Sequence, residues 1–200
     1  MDAIMTAAQS LSPWEVLAVI SAMAYLLLAV KESVWCWLFA FISTLIYTAL
    51  FWHVSLLMDS ALNVYYMAMA VFGWYQWTRG GPISLPVKSL NFRQHLWIIA
   101  TIVILSVISG YYLSEHSSAV WPYVDSFTTW ASVVTTYLVT QKYLQNWLYW
   151  VVIDAVSIPL YIDRSLSLTA LLFVFYVIIA VFGYFKWKRH FIQQRIAGAN

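Results

Sequence analysis

Of 200 residues, 63% are apolar and only 9% charged, with a mean hydropathy of +0.77, whereas about a quarter of the residues in soluble domains are charged. This excludes a soluble globular domain and places the chain in a bilayer. The net charge of +2 gives no reason to expect nucleic acid as a partner.

A spanning helix needs about 20 mainly apolar residues, and seven segments qualify, near 14–30, 34–52, 56–77, 95–113, 119–140, 146–163 and 166–187. No basic stretch precedes the first, so no cleavable signal peptide is expected. Pro13 and Pro122 stand at the starts of spans one and five, where a missing N–H costs little. Glu15 and Asp125 lie near the outer ends of those spans and are expected to reach water. Span two holds Cys36, the sole cysteine, which excludes disulfides and cysteine-based metal sites within the chain and is expected to be a packing residue. The same span offers Trp37, Thr44, Tyr47 and Phe51.

Span three carries Asp59, Asn63, Tyr66, Ala70, Gly73 and Trp77 at steps of three and four, one face of a helix. Asn63 is open to two readings, a ligand contact or a bond to a neighbouring backbone. Gly80-Gly81-Pro82 and Pro86 then break the helix and mark a loop over 78–94. Span four is aliphatic from Ile98 to Val107 apart from Thr101 and Ser106, and is expected to face lipid. Span six carries Trp147, Trp150, Asp154, Ser157 and Tyr161 on one face. Asp154 falls near the bilayer midplane, where a carboxylate facing lipid costs at least roughly 2.5–3.5 kcal/mol. It should therefore face protein, as a functional group or in a structural hydrogen bond. Pro159, inside this span, bends the helix, either as an ordinary kink or as a hinge beside the polar stripe. Trp14, Trp52, Trp97 and Trp121, near span ends, fit an interfacial belt.

Basic loops stay in the cytoplasm, and nine of the ten Lys and Arg residues fall on one side of this map; only Arg164 lies opposite. The expected N-terminus is outside and the C-terminus inside.

A shift of 110 positions lays the first third of the chain on the last without a gap: Trp37 on Trp147, Leu50 on Leu160, Ser55-Leu56 on Ser165-Leu166, and Val71-Phe72-Gly73-Trp74-Tyr75-Gln76-Trp77 on Val181-Phe182-Gly183-Tyr184-Phe185-Lys186-Trp187. Spans one to three and five to seven thus form two units, and a single connecting span returns the chain to its starting side. The expected fold is an all-α membrane protein of seven helices, two parallel three-helix repeats joined by one helix, as in SWEET-type carriers. The divisions expected are 1–77, 78–118, 119–190 and 191–200. Under the shift Tyr66 meets Tyr176, Asn63 meets Phe173 and Thr44 meets Asp154, so one repeat alone carries the midplane acid. Trp and Tyr rings with a carboxylate, and no Lys or Arg at depth, suit a flat cationic heterocycle and disfavour phosphates.

Two boxes, Asp59-x3-Asn63-x2-Tyr66-x6-Gly73-Trp74-Tyr75-Gln76-Trp77 and Asn146-Trp147-x2-Trp150-x3-Asp154-x4-Pro159-x-Tyr161, the second continuing through Tyr176 to Gly183-Tyr184-Phe185-Lys186-Trp187, resemble the PnuC family of bacterial vitamin transporters over almost the whole chain. The resemblance implies a trimer in the inner membrane that carries nicotinamide riboside inward by facilitated diffusion, with a cytoplasmic kinase trapping the product. Thiamine is the alternative cationic vitamin. It implies a substrate site at Asn63, Tyr66, Trp150, Asp154 and Tyr176, to which the stripes add Trp147, Asn146, Tyr161 and Thr44. No enzyme activity, metal or cofactor is expected.

Among rivals, a retinal protein needs a lysine deep in span seven, and Lys186 lies at its cytoplasmic end. A bis-histidine cofactor site needs histidines at depth, whereas His53, His95, His116 and His190 lie in loops or at span ends. A receptor does not require the repeat. A proton-coupled carrier using Asp154 remains open.

Overall fold

The computed structural model describes residues 12–53, 57–79, 85–117, 120–163 and 167–197. These form seven helices: α1 (Pro13–Val30), α2 (Cys36–His53), α3 (Leu57–Thr78), α4 (Phe92–His116), α5 (Pro122–Thr140), α6 (Asn146–Asp163) and α7 (Ser167–Ala197). The order is three helices, one, then three. Four of them, α1, α2, α4 and the Thr169–Ala197 part of α7, are long and apolar enough to cross a membrane on length and composition alone. The other three, α3, α5 and α6, carry most of the buried polar side chains among the described residues.

The chain divides into two compact units, Met1–Pro86 and Val87–Asn200. In the first, α2 packs against both α1 and α3. Ser12 caps α1 in a capping box, its Oγ accepting from Glu15 N at 3.2 Å while Ser12 N donates to Glu15 Oε2 at 2.6 Å. Glu15 therefore serves the helix end, a role that the expectation of a solvated acid omits. Ser43 on α2 ties the helices together by donating to Ala18 O at 2.9 Å.

In the second unit α6 packs against α5 and α7, and α4 packs against α5. The connector α4 is thus only partly lipid-facing. Its residues Ile102, Ser106 and Gly110, spaced by four, are buried, and a Cβ at Gly110 would lie 2.5 Å from the ring of Tyr123. Small residues at such spacing let helices approach closely in a bilayer. Trp130 Nε1 adds a hydrogen bond to Ser109 Oγ at 3.0 Å. The loop before α4 is tied down as well: Lys88 N donates to Lys142 O (2.9 Å), Leu144 N to Lys88 O (2.8 Å), Leu90 N to Gln145 Oε1 (2.9 Å) and Val87 N to Gln194 Oε1 (3.1 Å).

The 110-residue repeat is reproduced at atomic detail within each unit. Glu32 (φ 55°) and Lys142 (φ 52°), exactly 110 apart, both adopt the left-handed conformation. They end α1 and α5 in the same way: Ser33 N donates to Leu28 O at 3.0 Å and Tyr143 N to Leu138 O at 3.0 Å, the six-to-one bond of a Schellman turn. The next helix begins alike in both, with Cys36 N on Ser33 O at 3.0 Å and Asn146 N on Tyr143 O at 3.1 Å.

Each repeat also has the same aromatic joint. Trp37 meets Trp77 edge-on at 5.3 Å and 83°, and Trp147 meets Trp187 at 5.5 Å and 88°. All four rings are at most 5% exposed. Gly73 and Gly183 make room for them. A Cβ at Gly183 would stand 2.7 Å from Trp147 ring carbons, and one at Gly73 would overlap Trp37. The paired Gly-aromatic-aromatic-x-Trp endings are therefore the helix–helix seams of the two repeats.

Candidate functional site

The polar stripe of α6 divides into two segments of different surroundings. At its start Asn146 and Trp147 are enclosed, at 0% and 2% exposure. Asn146 Nδ2 donates to Tyr143 O at 2.7 Å, and Trp147 belongs to the joint with α7. Trp150 is half-buried against the apolar core formed by Ile102, Ala131 and Ile153. Two turns into the helix stands Asp154, 5% exposed, so its carboxyl is turned to protein. No protein hydrogen bond or ion pair to that carboxyl is seen among the described residues, and its oxygens are not among the fully enclosed atoms that lack a partner. One turn on, Ser157 is buried and donates to Ile153 O at 2.9 Å.

Tyr161 lies near the end of the stripe and links α6 to α7 through a run of rings: Tyr161 to Phe173 at 4.9 Å, then Phe173 to Tyr176 at 5.4 Å. Phe173, the residue to which Asn63 corresponds, is the bridge. Tyr161, Phe173 and Tyr176 thus form one ring cluster between α6 and α7, beyond the joint.

On α3 the same division holds. Ala70, Gly73 and Trp77 pack against α2 and are buried, whereas Asn63 and Tyr66 are half-exposed. The rings of Tyr65 and Tyr66 are 5.6 Å apart. The side chain of Asp59, and the pairs Ser55-Leu56 and Ser165-Leu166, lie outside the described residues. Thr44, at the position equivalent to Asp154, spends its hydroxyl on its own helix, donating to Ala40 O at 2.8 Å and Phe41 O at 3.2 Å. An apolar cavity of about 290 Å³ lies elsewhere in the first unit, between Trp37, Phe41, Ala70 and Trp74.

Sequence reading passed over α5. Its Ser126, Ser132, Thr135, Thr136 and Thr140 are all buried. The signal was present: α5 holds seven Ser and Thr residues where α1 holds Ser21 alone. Thr136 and Thr140 donate to carbonyls of their own helix, but Ser126 Oγ and Thr135 Oγ1 are buried without a protein partner. Among the described residues no group of His, Cys, Asp or Glu could hold a metal ion.

Seven helices in the order three, one, three, a repeat with one joint per half, and helices apolar enough to cross a membrane define a multi-pass membrane protein. The family described as nicotinamide mononucleotide transporter matches residues 12–189, and the chain belongs to that family, the one that contains the PnuC proteins. It is 22% identical to the nicotinamide riboside transporter PnuC of Escherichia coli K12, over 86% of this chain and 84% of that one. It is 26% identical to the protein of the same name from Neisseria mucosa (80% and 67%). The riboflavin/roseoflavin transporter RibM of Streptomyces davaonensis is 25% identical (81% and 78%). The crystal structure of the vitamin B3 transporter PnuC has the same fold, with a TM-score of 0.74 at 22% identity over 90% of this chain and 82% of that one.

Proposed function

We propose that this chain carries nicotinamide riboside inward across the bacterial inner membrane by facilitated diffusion, cytoplasmic phosphorylation then trapping the product. The observation that carries the reading is Asp154, an acid 5% exposed and unpaired among the described residues, in the helix that also supplies Tyr161. A buried carboxyl attracts a permanent cation, and a cation over an aromatic face gains roughly 0.5–2 kcal/mol. The pyridinium of nicotinamide riboside meets both requirements. Trp150 on α6 and Tyr176 on α7 complete the site within the second unit, with Asn146 and Trp147 behind it.

Phosphate argues against the mononucleotide named in the family description, since no Lys or Arg falls in the middle of a span and a phosphate calls for one. Riboflavin, the cargo named for the Streptomyces davaonensis relative, is neutral and makes no use of Asp154. Thiamine, another cationic ring, is the second reading. The expected topology is N-terminus outside, C-terminus in the cytoplasm, and the expected assembly a homotrimer.

Uptake of labelled nicotinamide riboside into proteoliposomes, with unlabelled thiamine and riboflavin as competitors, tests this. Saturable uptake that equilibrates at the outside concentration supports the reading. Accumulation above that concentration under a proton gradient would replace it with a coupled carrier, and competition by thiamine alone would replace the substrate.

A further inference from the structure

Buried polar atoms without a protein partner are unevenly shared. Among the described residues the first repeat has Trp37 Nε1; the second has Ser126 Oγ, Thr135 Oγ1, Asn146 Oδ1 and Trp147 Nε1. Such groups are costly to bury, so their concentration in one repeat calls for a cause.

Three of the four map, under the 110-residue shift, onto Tyr25, Cys36 and Trp37. In the first repeat the rings of Tyr25 and Trp37 are 6.0 Å apart, and Cys36 precedes Trp37 in the chain. Because the turns and aromatic joints of the repeats coincide, Thr135, Asn146 and Trp147 occupy the corresponding corner of the second. Where the first repeat fills the corner with a phenol ring and a thiol, the second has a hydroxyl with a methyl, and an amide. The corner is smaller in side-chain bulk by most of a ring and richer in hydrogen-bonding atoms.

Their chemistry is specific. Asn146 Nδ2 is engaged with Tyr143 O, which leaves Oδ1 as a pure acceptor. Trp147 Nε1 is a pure donor, and Thr135 can act as either. All three residues are at most 2% exposed, so hydrogen bonds made there face no competing water. A planar group presenting a donor and an acceptor side by side matches this set. A cation alone does not.

We propose that Thr135, Asn146 and Trp147 form the recognition corner for the carboxamide of the substrate, separate from the acid that meets its positive ring. Thr135, which no sequence motif singles out, is the specificity-determining residue. The inference rests on the reading that the cargo is nicotinamide riboside. A fully enclosed corner is reached when helices part, as a carrier does in alternating access.

The test uses purified full-length protein titrated with nicotinamide riboside and with N-ribosylpyridinium, which keeps the sugar and the cation but lacks the carboxamide. Wild type should prefer nicotinamide riboside by about tenfold or more. Thr135→Val, equal in size but without the hydroxyl, should weaken nicotinamide riboside about fivefold to twentyfold and leave N-ribosylpyridinium unchanged. Thr135→Ser should restore the preference, and Tyr25→Thr should alter neither affinity. If Thr135→Val weakened both ligands equally, or neither, the recognition corner would be wrong while the substrate stood. If wild type bound neither ligand, the substrate reading would fall and the inference with it.

Discussion

In the first repeat the ring of Tyr25 stands 6.0 Å from that of Trp37; in the second the residues at the equivalent positions are Thr135 and Trp147. Around these two pairs almost everything else is shared: the left-handed residue at Glu32 or Lys142, the Schellman bond, and the crossed tryptophans over a glycine. The backbone and the joints have been held constant while the polar content has moved into one half. Thr44 and Asp154 repeat the lesson two turns deeper, since the threonine satisfies itself on its own helix and the acid does not. Two like halves can thus share one packing scheme while one of them alone carries most of the polar groups left without a protein partner among the described residues.

The equivalence of the joints can be broken first, and the effect should be the largest. Trp37→Ala and Trp147→Ala each remove a ring that is 2% exposed and leave a cavity, which in buried sites costs roughly 3–5 kcal/mol for an aromatic residue. Equilibrium unfolding in detergent should show the two variants destabilised by similar amounts. A large cost at one tryptophan and a negligible one at the other would mean that the joints only look alike.

Much of this architecture is legible in the amino-acid sequence, for a physical reason. Spans are set by a bilayer of fixed thickness, and a gapless 110-residue shift preserves every helix-facing position. Errors of extent occur where helix continues outside hydrocarbon. The fourth span is expected from 95, but α4 begins at Phe92, because Asn91 and Gln94 form a capping box around a polar first turn. The seventh is expected to stop at 187, but α7 runs to Ala197 through a basic segment that hydropathy does not detect.

The site is less legible. A period of 3.6 places Trp147, Trp150, Asp154 and Tyr161 on one face without saying that the first is a joint and the third an unpaired acid. Gly73 and Gly183 are the discriminating residues, since a glycine opposite a tryptophan marks the packed end of each stripe. The hydroxyls of α5 escaped notice because serine and threonine are common in spanning helices and most bond their own carbonyls. Only coordinates separate Thr136, which does so, from Thr135, which does not.

The difference in polar content can be sharpened at the second level. Asp154→Asn removes a charge from an enclosed position, and hydrogen bonds to charged groups contribute about 1.5–3 kcal/mol, so affinity for a cationic substrate should fall roughly tenfold to a hundredfold. Thr44→Val at the equivalent position should stay within about twofold, because the lost hydroxyl served its own helix. Rates of labelled uptake at several substrate concentrations would measure both. Equal losses at the two positions would count against assigning the cation to the second repeat.

The smallest effect concerns how the two repeats begin. Ser12 caps α1 through its side chain, whereas α5 begins at Trp121 with no side-chain cap, and Trp121 Nε1 instead donates to Asp163 Oδ2 at 2.8 Å. A cap satisfies amide donors of the first turn directly, so Ser12→Ala should cost about 1 kcal/mol and speed amide hydrogen exchange at Glu15. Asp163→Ala removes an exposed side-chain bond between helices and touches no amide of the α5 first turn. It should therefore leave exchange in that turn unchanged and loosen only the contact between the ends of α5 and α6. Faster exchange at the start of α5 in Asp163→Ala would show that the indole bond does for the second repeat what the serine cap does for the first, and the two beginnings would then be equivalent after all.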